Sequence, residues 1–442
     1  MPHDILEDLL EKARAFGASA ADALLSDSSS LSVSYRMGKK ESVSRSEEAE
    51  IGLRVFVGKK QAIVSSSDRH PETLTALAER AVAMAKSVPD DPYAGLADAA
   101  DITRQIKPLE SFDATVLTPE QLGLLAARAE EKALAEKGIT NSDGAEAAFG
   151  VDHVHIVASN GFSGSYSSSG FSLSVSVIAG SGTAMETDYA HDSATFFSDL
   201  HAPEKIGAEA ARRTLRALHP RKGRTKKIPV VFDRRIAGSI PGAFANAISG
   251  SAIAKGTSFL KDKMNGQVFA RGITITDDPF LARGARSRPF DAEGLSPKKR
   301  NLIDDGVLTG WLLDLASARQ LGLSSTGNAA RGTSSPPSPR PSNLYLAAGA
   351  LSPDEMIRDI KEGFYVTEFL GSGGSILTGD YSRGAKGFWI ENGEIAFPVS
   401  EMTIAGNLRD MWLNLLPAND LDIRYGTDAP TLRIDSMTVA GE

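Results

Sequence analysis

Ile51-Gly-Leu-Arg-Val-Phe-Val-Gly-Lys-Lys-Gln-Ala-Ile-Val64 sets the class of fold. Ile51, Leu53, Val55 and Val57 recur at every second position, so they point to one side of a strand. Gly58-Lys59-Lys60 then turns the chain into Gln61–Val64, and the pair reads as a hairpin of an antiparallel sheet. Upstream, Leu31–Tyr35 alternates in the same way, and Ile5, Leu6, Leu9, Leu10, Ala13 and Phe16 fall at helical spacing before a stop at Gly17. Downstream, Pro71 opens a second helix with Leu74, Leu77, Ala78, Ala81, Val82 and Ala85 on its inner stripe. Asp90–Pro108 carries Pro, Gly and Asp and reads as a linker. Residues 1–115 are therefore expected to form a first α+β domain.

Residues 116–225 read as a second α+β domain. Thr118-Pro-Glu-Gln121 is a helix start with a cap, a proline at the first turn and a glutamine placed to close a capping box. Ala147–Ser159 is a strand, Asn160-Gly161 a tight turn, and the return strand is serine-rich through Phe171, Leu173, Val175 and Val177. A helix over Pro203–Leu218 follows. Residues 226–442 read as mainly β. They contain Ile228–Phe232, Ile273–Thr276, a hairpin about Asp305-Gly306, another about Asn392-Gly393, and one evident late helix over Pro353–Glu362. Ser334–Pro341 holds four prolines and reads as a rigid extended loop.

At 442 residues, 41% hydrophobic and 24% charged, the chain can bury a sizeable core, which excludes wholesale disorder. With no cysteine there is no disulfide framework, thiolate metal site or cysteine nucleophile. A net charge of −8 argues against a nucleic-acid binder. Asp4, Glu7, Asp8 and Glu11 break any secretory leader, and no stretch approaches the roughly 18 apolar residues of a membrane span. A cytoplasmic protein with no membrane partner is expected.

Candidate chemistry is sparse. His153 and His155 lie two apart on a strand, and His191 with Asp192 is the nearest supply of a third ligand. An independent hydrolase built on them is one alternative, a half-exposed strand face the plainer one. The basic run from Arg212 to Lys227 lacks interleaved aromatics that would stack bases. Gly371-Ser-Gly-Gly-Ser375 matches neither a dinucleotide fingerprint nor a P-loop and reads as a hinge or substrate-facing loop. The serines of Ser163–Ser174 include no nucleophile elbow. His219 is the last histidine, so the third block cannot supply an imidazole.

Longer phrases carry more. Ile360-Lys-Glu-Gly-Phe-Tyr-Val366, Thr378-Gly-Asp-Tyr-Ser-Arg-Gly-Ala-Lys-Gly-Phe-Trp-Ile-Glu-Asn-Gly-Glu394, Glu401-Met-Thr-Ile-Ala-Gly-Asn-Leu408 and Thr431-Leu-Arg-Ile-Asp435 resemble the TldD/PmbA family, once called modulators of DNA gyrase. Lys255-Gly-Thr-Ser258, Pro289-Phe-Asp-Ala-Glu-Gly294 and the Ile51–Val57 strand extend the resemblance over nearly the whole chain. It implies subunits that pair into a barrel-like dimer with an enclosed cleft and act on unfolded peptides. In one kind, TldD, a His-Glu-x-x-x-His helix binds zinc. The other, PmbA or TldE, lacks that signature and partners the first.

Aligned on Lys255-Gly-Thr-Ser258, the three motif positions fall near Pro241, Gly242 and Asn246. Proline and glycine offer no ligand, an amide is a poor substitute for an imidazole, and Arg235–Lys255 contains no His, Asp or Glu. The resemblance therefore implies a PmbA/TldE-type chain with no catalytic residue and no metal or other cofactor of its own, zinc being expected only in a TldD-like catalytic sibling. Ile236, Ile240, Phe244, Ile248 and Ala252 form an apolar stripe, so the segment is expected to pack, its regular helix beginning near Pro241. The expected partners are that sibling or a second copy of the chain, together with an unfolded peptide. Thr378, Asp380, Ser382, Glu401 and Thr403 are the expected peptide-groove residues. The alternative is a homodimeric peptide-binding protein without a catalytic partner.

Overall fold

The structure is a computed structural model that describes residues 2–371 and 373–441; Ser372, inside the glycine-rich phrase at 371–375, lies outside the described residues. The hairpin of the opening phrase is present but far longer. β1 (Ala20–Arg36) and β2 (Lys39–Val57) pair antiparallel along their length, and β3 (Lys60–Ser66) returns along Ile51–Val57. β4 (Ile139–Ala158), β5 (Ser163–Ala179) and β6 (Glu186–Ala194) continue the same sheet in the order β3-β2-β1-β4-β5-β6. The sheet crosses residue 115 without a break, because β1 pairs with β4 from Asp22↔Ala158 to Tyr35↔Ala145.

Helices cover one face of this sheet from end to end. α1 (Pro2–Ala15) and α2 (Pro71–Ser87) bury Leu6, Leu9, Leu77 and Val82 against Ala23, Leu25, Leu53 and Val55. α3 (Pro119–Leu134) and α4 (Pro203–Arg216) bury Leu122, Ala126, Ile206 and Ala210 against Val33, Ala147, Leu173 and Val175. α3 starts on the capping box read from the sequence, with Thr118 accepting from the Gln121 N–H and the Gln121 side chain accepting from the Thr118 N–H. Alternation puts the apolar residues under the helices and leaves the opposite face polar along the Ser28–Ser34 half of β1, while Leu24, Val154 and Ile156 make its other end apolar.

The third block opens with β7 (Lys226–Phe232), followed by α5 (Arg234–Ala237), α6 (Ser239–Ala247) and α7 (Gly250–Ala254). β8 (Ile275–Asp278), β9 (Arg300–Asp304), β10 (Val307–Leu308), α8 (Leu315–Leu321), β11 (Ala329–Ala330), β12 (Ser338–Pro339), β13 (Asn343–Leu346) and α9 (Pro353–Ile357) come next. The chain ends with β14 (Glu362–Leu370), β15 (Asp380–Glu391), β16 (Glu394–Asn407), α10 (Leu408–Leu413), β17 (Leu415–Pro417), β18 (Thr427–Asp428) and β19 (Leu432–Ala440). β7 lies between parallel β14 and antiparallel β19, and Thr403–Ala405 of β16 pair with Thr438–Ala440 of β19. The ring β16-β15-β14-β7-β19 is thereby closed into a five-stranded barrel within one chain. β10-β9-β8-β13-β18 forms a smaller sheet beside it.

The α+β class holds throughout. The late helix is shorter than expected, because Ser352 caps it at Pro353 and the chain is already in β14 by Glu362. The barrel and the long sheet meet through Leu24, Ile156 and Phe162 packed on Phe290 and Leu295. Among the described residues no helix is long and apolar enough to cross a membrane.

Candidate functional site

The segment aligned with the family's metal helix is three short helices rather than one. Pro241 sits in the first turn of α6, where the missing N–H costs little. Ile240, Phe244 and Ile248 are fully buried, and Phe244 packs edge-on against Phe269 and Trp412. Gly238 and Gly242 face β18. A Cβ at Gly238 would stand 2.4 Å from the Thr427 carbonyl oxygen, so only glycine lets the two backbones approach.

The start of this segment borders a cavity of about 770 Å³ whose walls come from three places. β6 and α4 bring His191, Glu209 and Arg213; α5 brings Asp233, Arg234 and Arg235; β14, β15 and the 420–431 segment bring Tyr365, Arg383, Asp420, Asp422, Tyr425 and Asp428. Asp233 caps α5, accepting from the Arg235 N–H at 3.0 Å, and also accepts from the Tyr365 hydroxyl at 3.1 Å. Burial, with Asp233 beside it, pushes the Tyr365 hydroxyl well above its ordinary pKa, so it stays protonated and donates to Asp233. Arg235 donates to Asp188 at 2.7 Å and to the Thr367 carbonyl at 2.6 Å. Burial opposes the Asp188 charge, but the Arg235 hydrogen bonds and charge outweigh it and hold that carboxyl below its usual range. His191 lies against Tyr425, ring centres 5.1 Å apart. Burial, followed by the charge of Arg213, lowers its pKa and keeps the imidazole neutral.

These residues do not fit a zinc ion. Pro241 and Gly242 carry no donor, and Asn246 is exposed. The nearby carboxylates are already engaged: Asp420 by the Thr431 N–H and hydroxyl, Asp428 by the Tyr425 and Gly426 N–H groups, and Asp422 by Arg234 at 3.6 Å. No group of three His, Cys, Asp or Glu side chains among the described residues is arranged to hold a metal ion.

The three strand histidines do not converge either. His153 stands opposite Ser167 of β5 and His191 opposite Ser174, seven positions along the same strand. That is roughly 23 Å at about 3.3 Å per residue, and an odd offset puts the two on opposite faces of the sheet. His153 instead bonds the Ser167 hydroxyl at 2.7 Å. The basic run is likewise occupied. Arg212 and Arg213 pair with Glu209, while Arg216 and Arg221 lie over the rings of Phe388 and Phe397.

None of Thr378, Asp380, Ser382, Glu401 and Thr403 lines the large cavity. Thr378 donates to Asp380 at 2.7 Å in an exposed turn. Ser382 is on the outer side of β15, one position from the cavity-lining Arg383. Glu401 is held at positive φ in a bulge, 3.6 Å from Lys222. Thr403 is paired on both sides, with Gly384 and with Ala440, so an added strand has no edge there. The barrel closure that occupies this edge was not visible in the strand's own residues.

The sheet face away from the helices was missed. Ser28, Ser30, Ser32 and Ser34 of β1 stand beside Ser46, Ser44 and Ser42 of β2, and across β4 the row continues to Ser168, Ser172 and Ser174 of β5. His191 stands opposite Ser174 on the same face, so this hydroxyl wall runs up to the large cavity. The signal was the serine at every second position of β1 and β2. Among the described residues β3 pairs with β2 only over Ile51–Val57, and no strand pairs with the outer side of Lys39–Glu50, which is a free edge.

Comparison with known proteins agrees along the whole chain. The profiles of the PmbA/TldA metallopeptidase domain 1, central domain and C-terminal domain match residues 21–85, 112–218 and 225–441. The chain is 39% identical over 426 residues to metalloprotease PmbA of Escherichia coli O157:H7, covering 96% of this chain and 92% of that one. It is 36% identical to the PmbA homolog of Haemophilus influenzae, covering 98% and 94%. A crystal structure from Bacteroides thetaiotaomicron, described as a modulator of DNA gyrase, superposes with a TM-score of 0.92 at 28% identity over 100% of this chain and 99% of that one. TldE of Thermococcus kodakarensis superposes at 0.87 over 99% of this chain and 100% of that one, at 20% identity, a likeness of fold alone.

Proposed function

The chain belongs to the PmbA/TldD metallopeptidase family, and on that premise we propose that it is the PmbA/TldE-type, non-catalytic subunit of a peptidase complex acting on unfolded peptides. One observation carries the reading. Where a zinc helix is expected, the chain has Pro241, Gly242 and Asn246, within a segment, Arg235–Lys255, that contains no His, Asp or Glu. That segment is committed to packing, with Phe244 buried and Gly238 against β18. In this reading a TldD-like sibling supplies the zinc, which polarises water for peptide hydrolysis. This chain binds and orients the peptide.

The hydroxyl wall supports that division. Serine side chains donate and accept without selecting a side chain, as suits a chamber for varied sequences. The free edge of β2 over Lys39–Glu50 supports strand addition, in which backbone groups of an extended peptide pair with an exposed sheet edge. Its Lys39, Lys40, Glu41, Arg45, Glu47 and Glu48 guard against indiscriminate pairing. The dimer that would enclose this wall is part of the proposal.

The test is a peptidase assay with an unfolded protein such as casein and added zinc, on this chain alone and mixed with its TldD-like sibling. Cleavage only in the mixture is expected, and Asn246→Ala should leave the mixture's rate unchanged. Zinc-dependent cleavage by the isolated chain would overturn the assignment. Failure to associate with the sibling, together with peptide binding by a homodimer, would favour a stand-alone peptide-binding protein.

A further inference from the structure

A second cavity, of about 270 Å³, lies against the hydroxyl-lined face at the end of the long sheet nearest the barrel, and shares no lining residue with the large one. Ser26 and Ser28 of β1, Glu48 and Glu50 of β2 and Tyr166 of β5 form its floor; Arg288 and Arg331 close it from the barrel side. Both arginines are under-used. The Nε of each is buried and has no protein partner among the described residues. The Arg331 side chain is 2% exposed, yet its one carboxylate, Asp22, is shared with Arg54. Among the described residues Arg288 donates to the carbonyls of Ala329 and Arg340 and to no carboxylate.

The acids around the two arginines leave these N–H groups without an acceptor among the described residues. Two buried guanidinium groups share one carboxylate. Asp291 is already taken by the N–H groups of Glu293, Leu295 and Ala329. Buried Glu293, pushed up to about 8, is neutral near pH 7. A buried guanidinium N–H without an acceptor is costly, and a carboxylate is the acceptor best matched to a guanidinium fork. On the opposite wall Glu48 is exposed and Glu50 accepts from the Thr333 hydroxyl, so the β2 side favours a cation. The cavity lies just under the roughly 300–1,000 Å³ of a drug-sized ligand site, suited to the end of a chain.

We propose that this cavity is a receptor for the C-terminal end of a peptide, with Arg288 and Arg331 holding the terminal carboxylate and Glu48 and Glu50 favouring a lysine or arginine side chain beside it. The site anchors one end of an extended peptide on the serine wall and leaves the rest free to run toward the large cavity. It rests on residues 288 and 331 and on β2, and stands whether or not the chain is catalytically silent.

The experiment is isothermal titration calorimetry of the full chain with N-acetyl-glycyl-lysine, its C-terminal amide, N-acetyl-glycyl-alanine and sodium acetate. The free acid ending in lysine should bind one to one. Amidation, or Arg288→Gln, should weaken binding by about tenfold or more, the scale of a charge-assisted hydrogen bond. Glu48→Gln, on an exposed side chain that cannot unfold the protein, should weaken the lysine ligand and leave the alanine ligand unchanged. Equal binding of acid and amide, no binding at all, or indifference to Arg288→Gln would overturn the site. Acetate bound as tightly as the peptide would overturn the chain-end assignment in favour of a small free acid.

Discussion

Asp22 is a single carboxylate between the guanidinium groups of Arg54 and Arg331, and all three side chains are at most 4% exposed. Burial opposes its charge, and the two arginines outweigh that and hold its pKa down. Glu293, in the same interior, faces Asp291 and Asp314 as well as Arg54, and burial followed by the Asp291 charge pushes it up to about 8. The two acids therefore respond oppositely to pH. For Glu293 the folded value lies above the ordinary 4.5, so the folded state keeps a proton that the unfolded state releases. Its contribution to stability is complete below pH 4.5 and declines up to about 8. Glu293→Gln keeps an oxygen to accept the Leu315 N–H, which now donates to Glu293 at 2.8 Å, and removes the titration. Melting temperatures of the two proteins should diverge between pH 5 and 8.5 in favour of the variant; parallel curves would refute the assignment.

At the scale of elements, α6 gives paired predictions. A Cβ at Gly238 would meet backbone at 2.4 Å, which forces α5–α6 away from β18. Gly238→Ala should cost about 1–3 kcal/mol, the usual range for overpacking. Gly242 has nothing nearer than 3.8 Å and lies inside a helix, so Gly242→Ala should gain about 0.5–1 kcal/mol. Urea denaturation of both variants checks the contrast. Such elements were legible where their signals are local. Thr118 and Gln121, Asn160-Gly161 and Asn392-Gly393 announce a helix start and two turns, and Asn392 and Gly393 do adopt positive φ. α8 was legible but overlooked: Asp314 and Ser317 form a capping box and Gly322 ends the helix at positive φ. β1 and β2 were read too short because their serine halves lack the apolar alternation that marks a half-buried strand. Closure of the barrel was not legible, since it depends on β16 meeting β19 more than 30 residues later, across α10 and β17. The large cavity drew on residues from three regions, and of its lining residues Tyr365, Arg383 and Thr431 lay in the family phrases that the sequence had marked.

At the scale of the molecule, the two halves are joined by a set of arginines that reach from the third block to the long sheet and its flanking segments. Arg235 bonds Asp188 at 2.7 Å, Arg283 bonds Glu110 at 3.0 Å and Asp199 at 2.9 Å, and Arg424 bonds Asp192 at 2.8 Å. Arg319 donates to the carbonyls of Tyr93, Gly95 and Leu96, and Arg331 reaches Asp22. The long sheet and the barrel each have their own core, and the apolar seam between them, around Phe162 and Phe290, is small by comparison. Domains with separate cores melt separately unless the interface couples them strongly. Asp188 and Asp192 are 5% and 1% exposed, so removing their arginines leaves buried carboxylates short of a counter-charge, at about 3–5 kcal/mol for each broken pair. Scanning calorimetry of the wild type should give one transition. Arg235→Ala with Arg424→Ala should split it in two, with the barrel and the sheet melting apart. A double variant that still melts in one step, merely at lower temperature, would mean that the Phe162–Phe290 seam couples the halves and that the arginines only register them. The serine wall and both cavities would then keep their shape without these ion pairs.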